Sequence, residues 1–221
     1  MKQKLIIFGS GEIAQLAHFY FDSDSDYEVV AFAVDAADLS VPILFGLPLV
    51  AFEDVTRLYP PDTHDFFVAI GYSKQNAVRK EKYLAVKALG YRLASFISSR
   101  ATVLNDGRIG ENCFILEHNI VQPFVTIGNN VTLWSGNHIG HHALIGDFAF
   151  ISSHVVISGG VKVGERSFLG VNSTTNDHIS IGARCVIGSG ALIVKDVPDE
   201  GVLSAEAAKL SPVPSRRLKG F

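Results

Sequence analysis

One period dominates the sequence. From Ile97 every sixth residue is aliphatic, through Val103, Ile109, Ile115, Val121, Ile127, Leu133, Ile139, Ile145, Ile151, Ile157, Val163 and Leu169 to Ile181, Ile187 and Ile193. Thr175 is the one exception. Glycine often follows at once, as at Gly110, Gly128, Gly140, Gly146, Gly164, Gly170, Gly182 and Gly188. A half-buried strand alternates at 2 and a helix at 3.6, so neither produces this spacing. Flat-sided coils do. Three six-residue sides make a turn of about 18 residues, and stacked turns form a parallel β-helix whose anchors point into the prism. A sandwich with regular turns is the competing arrangement, but its strands recur every 8 to 12 residues. No insertion breaks the register from Ile97 to Ile193, so about five coils follow. The corner glycines are expected to supply positive φ.

This stretch also holds the unusual composition. Residues 97–193 carry 11 charged residues and 13 of the chain's 20 glycines. Sides so poor in charge can bury against neighbours, which predicts an oligomer. Cys113 and Cys185 stand four coils apart in one inward column, roughly 19 Å at the spacing of stacked strands. That is beyond a disulfide, and both read as core. The formal net charge of −3 offers no basic stripe for nucleic acid. The uncharged, apolar run 39–52 contains Pro42 and Pro48 and is shorter than a membrane span of about 20 residues. Met1-Lys2-Gln3-Lys4 leads into a short apolar run rather than a secretory signal. These features predict a cytoplasmic protein that binds neither membrane nor nucleic acid.

Residues 1–95 follow another grammar. Leu5-Ile6-Ile7-Phe8 reads as a buried strand, residues 12–21 as a helix, residues 28–34 and 66–70 as strands, and residues 73–89 as an amphipathic helix stopped by Gly90. Alternating strand and helix implies a small parallel sheet, a Rossmann-like α/β lobe. The expected division is a lobe over 1–95, a β-helix over 96–196 and an exposed tail over 197–221 that ends with Arg216, Arg217 and Lys219.

Two candidate sites emerge. Gly9-Ser10-Gly11 directly follows a strand and opens a helix, with Asp35 ending the second strand. Such glycines let a phosphate approach a helix N-terminus, and the acid can accept a ribose hydroxyl. A lobe of this size suits a mononucleotide or nucleotide-linked group better than a dinucleotide. A tight turn with no ligand is the alternative. The second site is His138, His141 and His142, with His141 and His142 facing outward. One coil above His141 lies Gly159, whose side-chain-free amide is expected just over the imidazole and open to a ligand. A base beside a free N–H donor is what acyl transfer requires. Surface histidines without function are the alternative.

The joined pattern resembles a bacterial sugar acyltransferase family, the hexapeptide-repeat sialic acid O-acetyltransferase and bacillosamine N-acetyltransferase type. The residues that carry it are Ile6-Ile7-Phe8-Gly9-Ser10-Gly11, Ala69-Ile70-Gly71 with Asn76 and Arg79, His141 before Ile145-Gly146-Asp147, Phe168-Leu169-Gly170-Val171-Asn172-Ser173 and Gly188-Ser189-Gly190-Ala191. The resemblance implies a homotrimer of left-handed β-helices. It also implies acetyl-CoA between neighbours and a nucleotide-linked amino sugar, a surface-glycan precursor, on the lobe. By position His141 resembles the family base and Gly159 its thioester-carbonyl donor. Gly9, Ser10, Gly11, Asp35 and Gly71 would line the nucleotide pocket, and coenzyme A would pass Gly170, Gly188 and Ala191. No metal is implied. The chain departs from the pattern in Glu12-Ile13, where the family commonly has a histidine, and in His142, where an acid often orients the base. It departs again in Ala205-Glu206-Ala207-Ala208-Lys209, where Gly-x-Pro-Ala-Lys is usual.

The expected reaction is direct N-acetylation, with His141 as base. O-acetylation would use the same groups. A zinc carbonic anhydrase built on His118, His138, His141 and His154, or a silent nucleotide-sugar sensor, are readings from other classes.

Overall fold

The computed structural model describes residues 2–218. Its first part comprises β1 (Gln3–Phe8), α1 (Glu12–Ser23), β2 (Tyr27–Val34), β3 (Ile43–Leu44) and β4 (Leu47–Ala51). A short α2 (Val55–Leu58), β5 (His64–Val68), α3 (Ala77–Ala88) and β6 (Arg92–Leu93) complete the lobe. The strands run in the order β3-β4-β2-β1-β5-β6, parallel except for the β3–β4 hairpin. Leu5 and Ile7 pack with Ala14, Ala17 and Phe21 of α1, while Ile6 and Phe8 pack with Tyr83 and Val86 of α3. Burial on both faces is why β1 reads as an unbroken apolar run.

The lobe departs from expectation in two places. The proline-containing run 39–52 folds as a hairpin about Phe45 and Gly46, both at positive φ (47° and 84°), with Pro48 opposite Ile43. The third helix begins at Ala77, four residues later than its apolar spacing suggests, because Lys74, Gln75 and Asn76 are left-handed at φ 49°, 51° and 60°. For residues other than glycine that conformation costs about 1–2 kcal/mol each. Contacts with the second part of the chain offset it: buried Asn76 donates through Nδ2 to the Arg166 carbonyl at 3.1 Å, and Arg166 Nε donates to the Gln75 carbonyl at 3.0 Å.

From Phe96 onward the chain is a left-handed parallel β-helix of three flat sheets. Strands stack at intervals of 18 residues, as in Ile120↔His138, His138↔Val156 and Thr126↔Leu144. The anchors from Ile115 to Ile193 form the core, each buried aliphatic side chain worth about 1.5–3 kcal/mol. Ile97, in the lowest coil, is 40% exposed. Thr175 is buried with its hydroxyl satisfied, since its Oγ1 accepts the Ser158 N–H at 2.9 Å.

The glycines after the anchors play a different role from the expected one. Positive φ recurs every sixth residue from Asp106 to Gly190, three positions after each anchor, and includes His118, His142, His154 and His178. The post-anchor glycines instead let coils approach. A Cβ on Gly140 would stand 2.7 Å from the Gly159 nitrogen, and one on Gly164 would stand 2.4 Å from the Ala183 nitrogen.

Parallel pairing continues past the uninterrupted repeat, through the Ile181–Val197 bridge to Val202–Leu203 beside Val186–Ile187. Residues 204–218 are exposed. No helix among the described residues is long and apolar enough to cross a membrane.

Lobe and solenoid are joined by polar groups as well as by aromatic packing. Asn112 extends the sheet at the end of β5, accepting the Val68 N–H at 2.7 Å and donating to its carbonyl at 3.2 Å. Arg79 of α3 is 2% exposed and donates to Thr132 Oγ1 (2.6 Å), the Phe148 carbonyl (2.8 Å) and the Ala149 carbonyl (3.2 Å). Burial lowers its pKa to about 9, which leaves it cationic at neutral pH.

Candidate active site

Beyond the carboxyl ends of β1 and β5, Gly9, Ser10, Gly11, Glu12, Ile13, Ala69, Ile70 and Gly71 line a cleft of about 330 Å³. The two strands are neighbours, and the chain leaves them toward opposite faces of the sheet. That is where ligands of open α/β sheets bind. Gly9 has φ +127°, and a Cβ there would stand 2.7 Å from the Ala69 carbonyl, so the wall requires glycine. Gly11 caps α1 and its helix N-terminus opens on the cleft, a setting for a phosphate. Asp35 does not line the cleft. Its Oδ1 pairs with Lys82 Nζ at 2.7 Å, and that ammonium lies 5.5 Å from the centre of the Phe8 ring. Lys82 is a cation at the carboxyl end of the sheet that sequence reasoning passed over. A larger cleft of about 420 Å³ lies at the amino end of β5. Several of its charges are already paired, Arg92 with Asp65 at 2.7 Å and Lys87 with Glu111, so the glycine cleft has more capacity for a ligand.

The second site lies on the solenoid. His141 is exposed; its N–H donates to Gln122 Oε1 at 2.8 Å and its carbonyl accepts the Gly160 N–H at 2.8 Å. Both bonds fix the backbone that carries the imidazole. Gly159 lies directly against the ring, since a Cβ there would meet His141 Cε1 at 2.6 Å and Nε2 at 2.7 Å. The other ring nitrogen, Nδ1, lies 3.1 Å from Nδ1 of His142.

The Gly159 amide is not open as expected. Its N–H donates to Asp177 Oδ1 at 3.0 Å. Asp177 sits one coil above Gly159, and adding 18 residues once more would have found it.

Gly170, Gly188 and Ala191 do not share the corner of Gly159. Gly170 and Gly188 follow the Phe168–Leu169 and Val186–Ile187 strands, on a different corner of the prism from Gly159. The two corners flank one flat side, from whose surface Ile120, Val156 and Leu192 project, exposed by 44%, 37% and 67%. Ala191 is 5% exposed and belongs to the inner core, so its side chain faces away from any surface ligand. His118 and His154 occupy the corner column of Gly136, apart from His141. Among the described residues no group of three or more His, Cys, Asp or Glu is placed to hold a metal. No hydrogen bond among the described residues joins the glycine cleft to the His141 corner.

Residues 106–141 and 125–159 match the bacterial transferase hexapeptide (six repeats), and residues 160–195 match the hexapeptide repeat of succinyl-transferase. No curated protein gives a significant match. Among solved structures, the acetyltransferase domain of PglB from Neisseria gonorrhoeae is 26% identical with a TM-score of 0.81, over 94% of this chain and 99% of that one. The same domain in complex with acetyl coenzyme A is 25% identical with a TM-score of 0.82, over 95% and 99%. PerB from Caulobacter crescentus, in complex with CoA and GDP-perosamine, shares the fold at 24% identity and a TM-score of 0.73, over 91% and 94%.

Proposed function

We propose that the chain, whose repeats match hexapeptide transferase models over residues 106–195 and whose fold is that of an acetyltransferase domain, carries an acetyl group from acetyl-CoA to the amino group of a nucleotide-linked amino-deoxy sugar. The observation that carries this reading is the contact of a Cβ-free peptide, Gly159, with the imidazole of His141. The glycine cleft at the carboxyl edge of the sheet supports a nucleotide-bearing acceptor. The likeness to a PglB domain whose structure contains acetyl coenzyme A supports the donor.

In this reading the sugar amine attacks the thioester carbonyl carbon while His141 Nε2 takes the proton that the amine loses. The Gly159 N–H donates to the oxygen as it gains charge. The C–S bond then breaks, and the thiolate takes the proton from His141, so no covalent enzyme intermediate forms. Gly9, Ser10, Gly11 and Gly71 hold the nucleotide. Three copies packed about the side bearing Ile120, Val156 and Leu192 would bring the His141 corner of one copy toward its neighbour, and we assign the working form as this homotrimer.

The test is thiol release with UDP-, dTDP- and GDP-linked 4-amino sugars, followed by mass spectrometry of the product. N-acetyl product lost in His141→Ala supports the assignment. Turnover near that of the parent by a folded His141→Ala trimer overturns it.

A further inference from the structure

We propose that the Asp177 carboxylate is a displaceable placeholder for the acyl oxygen of acetyl-CoA, an inference that rests on the acyltransfer reading above. Three consecutive amides, Ser158, Gly159 and Gly160, lie in the coil above His141. Ser158 N–H is bound by the buried hydroxyl of Thr175 at 2.9 Å, and Gly160 N–H by the His141 backbone carbonyl at 2.8 Å. Neither partner can leave without unpicking the coil. Gly159 N–H is held by an exposed side chain, Asp177, at 3.0 Å, and a rotation about its own side-chain bonds is enough to release it.

The same amide-to-carboxylate bond recurs at Asn129 with Asp147 (2.8 Å) and at Ala183 with Asp199 (2.9 Å). It is a regular way of satisfying corner amides in this solenoid. What sets Gly159 apart is that its α-carbon lies against an imidazole, the space a Cβ would fill, and that it has no side chain to block an incoming group. A carboxylate oxygen is also the nearest chemical likeness of a tetrahedral oxyanion, both being charged acceptors.

The consequence is differential binding. A neutral thioester carbonyl competes poorly with Asp177 for the amide, whereas the charged oxygen of the transition state competes well. Ground-state affinity is thereby held down while the donor stays available to the oxyanion. Free CoA has no acyl oxygen, so its affinity is independent of Asp177, and the donor is never left bare after the product forms.

The experiment compares acetyl-CoA with free CoA by calorimetry on the full chain and on Asp177→Ala, Asp177→Asn and Asp147→Ala. In Asp177→Ala the acetyl-CoA affinity should rise about tenfold while CoA is unchanged. Asp177→Asn, whose amide oxygen still accepts, should fall between. Asp147→Ala removes the equivalent bond away from the imidazole and should keep the parental ratio. An unchanged or lower ratio of acetyl-CoA to CoA affinity in Asp177→Ala overturns the placeholder alone. Failure of the unsubstituted chain to bind either coenzyme overturns both it and the acyltransfer reading.

Discussion

The Nδ1 atoms of His141 and His142 lie 3.1 Å apart, with the two rings nearly perpendicular at 84°. A hydrogen bond between two neutral imidazoles has one donor. If His141 donates its Nδ1–H, its Nε2 keeps a lone pair and can act as a base. If His142 donates, Nε2 of His141 carries the proton and the base is lost. His142→Ala should lower kcat by about 10- to 100-fold with little change in KM. His142→Asn, whose oxygen can accept the same proton, should recover much of the loss. Nitrogen-15 spectra of the imidazoles give an independent reading: His141 should be the Nδ1–H tautomer in the parent and shift toward Nε2–H in His142→Ala. An unchanged tautomer in that variant contradicts the positioning role.

Gly159→Ala tests the contact above His141 without touching a charge. The added methyl would start 2.6 Å from the ring, so the imidazole must move. Misplacement of about 1 Å costs on the order of 10²-fold in rate. The expected result is that loss in kcat/KM by the thiol-release assay, with the solenoid still folded by circular dichroism.

Arg79 ties α3 of the lobe to the solenoid through three hydrogen bonds. Arg79→Leu strands one hydroxyl and two carbonyl contacts and should lower stability by about 2–4 kcal/mol in urea unfolding. Arg79→Lys should rescue only part, since one ammonium cannot reproduce the planar fork of a guanidinium.

Gly9→Ala places a methyl 2.7 Å from the Ala69 carbonyl at φ +127°. The ends of β1 and β5 must then spread. We expect a loss of about 1–3 kcal/mol in stability; a nucleoside diphosphate should raise the melting temperature of the parent chain and not that of Gly9→Ala.

Cys113 and Cys185 are wholly buried and unpaired, and burial pushes the Cys113 thiol up to about 12. Neither should react with iodoacetamide at pH 8 in the native chain. Both should react once urea unfolds it, and rapid native labelling would contradict the packed column.

Much of this architecture is legible in the order of residues because a β-helix is built from local repetition. Each anchor finds its neighbours at a constant offset, so the column of Cys113 and Cys185 and the pairing of His141 with Gly159 follow from counting. The lobe is less legible. The left-handed run Lys74–Gln75–Asn76 has no glycine to announce it and is held by Arg166, some 90 residues away. The ion pair that occupies Asp35 comes from Lys82 on α3, a helix whose docking carries no period.

The sequence by itself determined the coil, its register and which side chains point inward, because periodic burial of aliphatic groups leaves a β-helix little choice. Tertiary structure decided the state of the polar atoms: that the Asp177 carboxylate, placed above Gly159 by the register, bonds its amide, and that His142 faces Nδ1 of His141. The reason is physical. Hydrophobic burial is non-directional and survives as a pattern along the chain, whereas a hydrogen bond exists only where folding brings a donor within about 3 Å of an acceptor at a suitable angle.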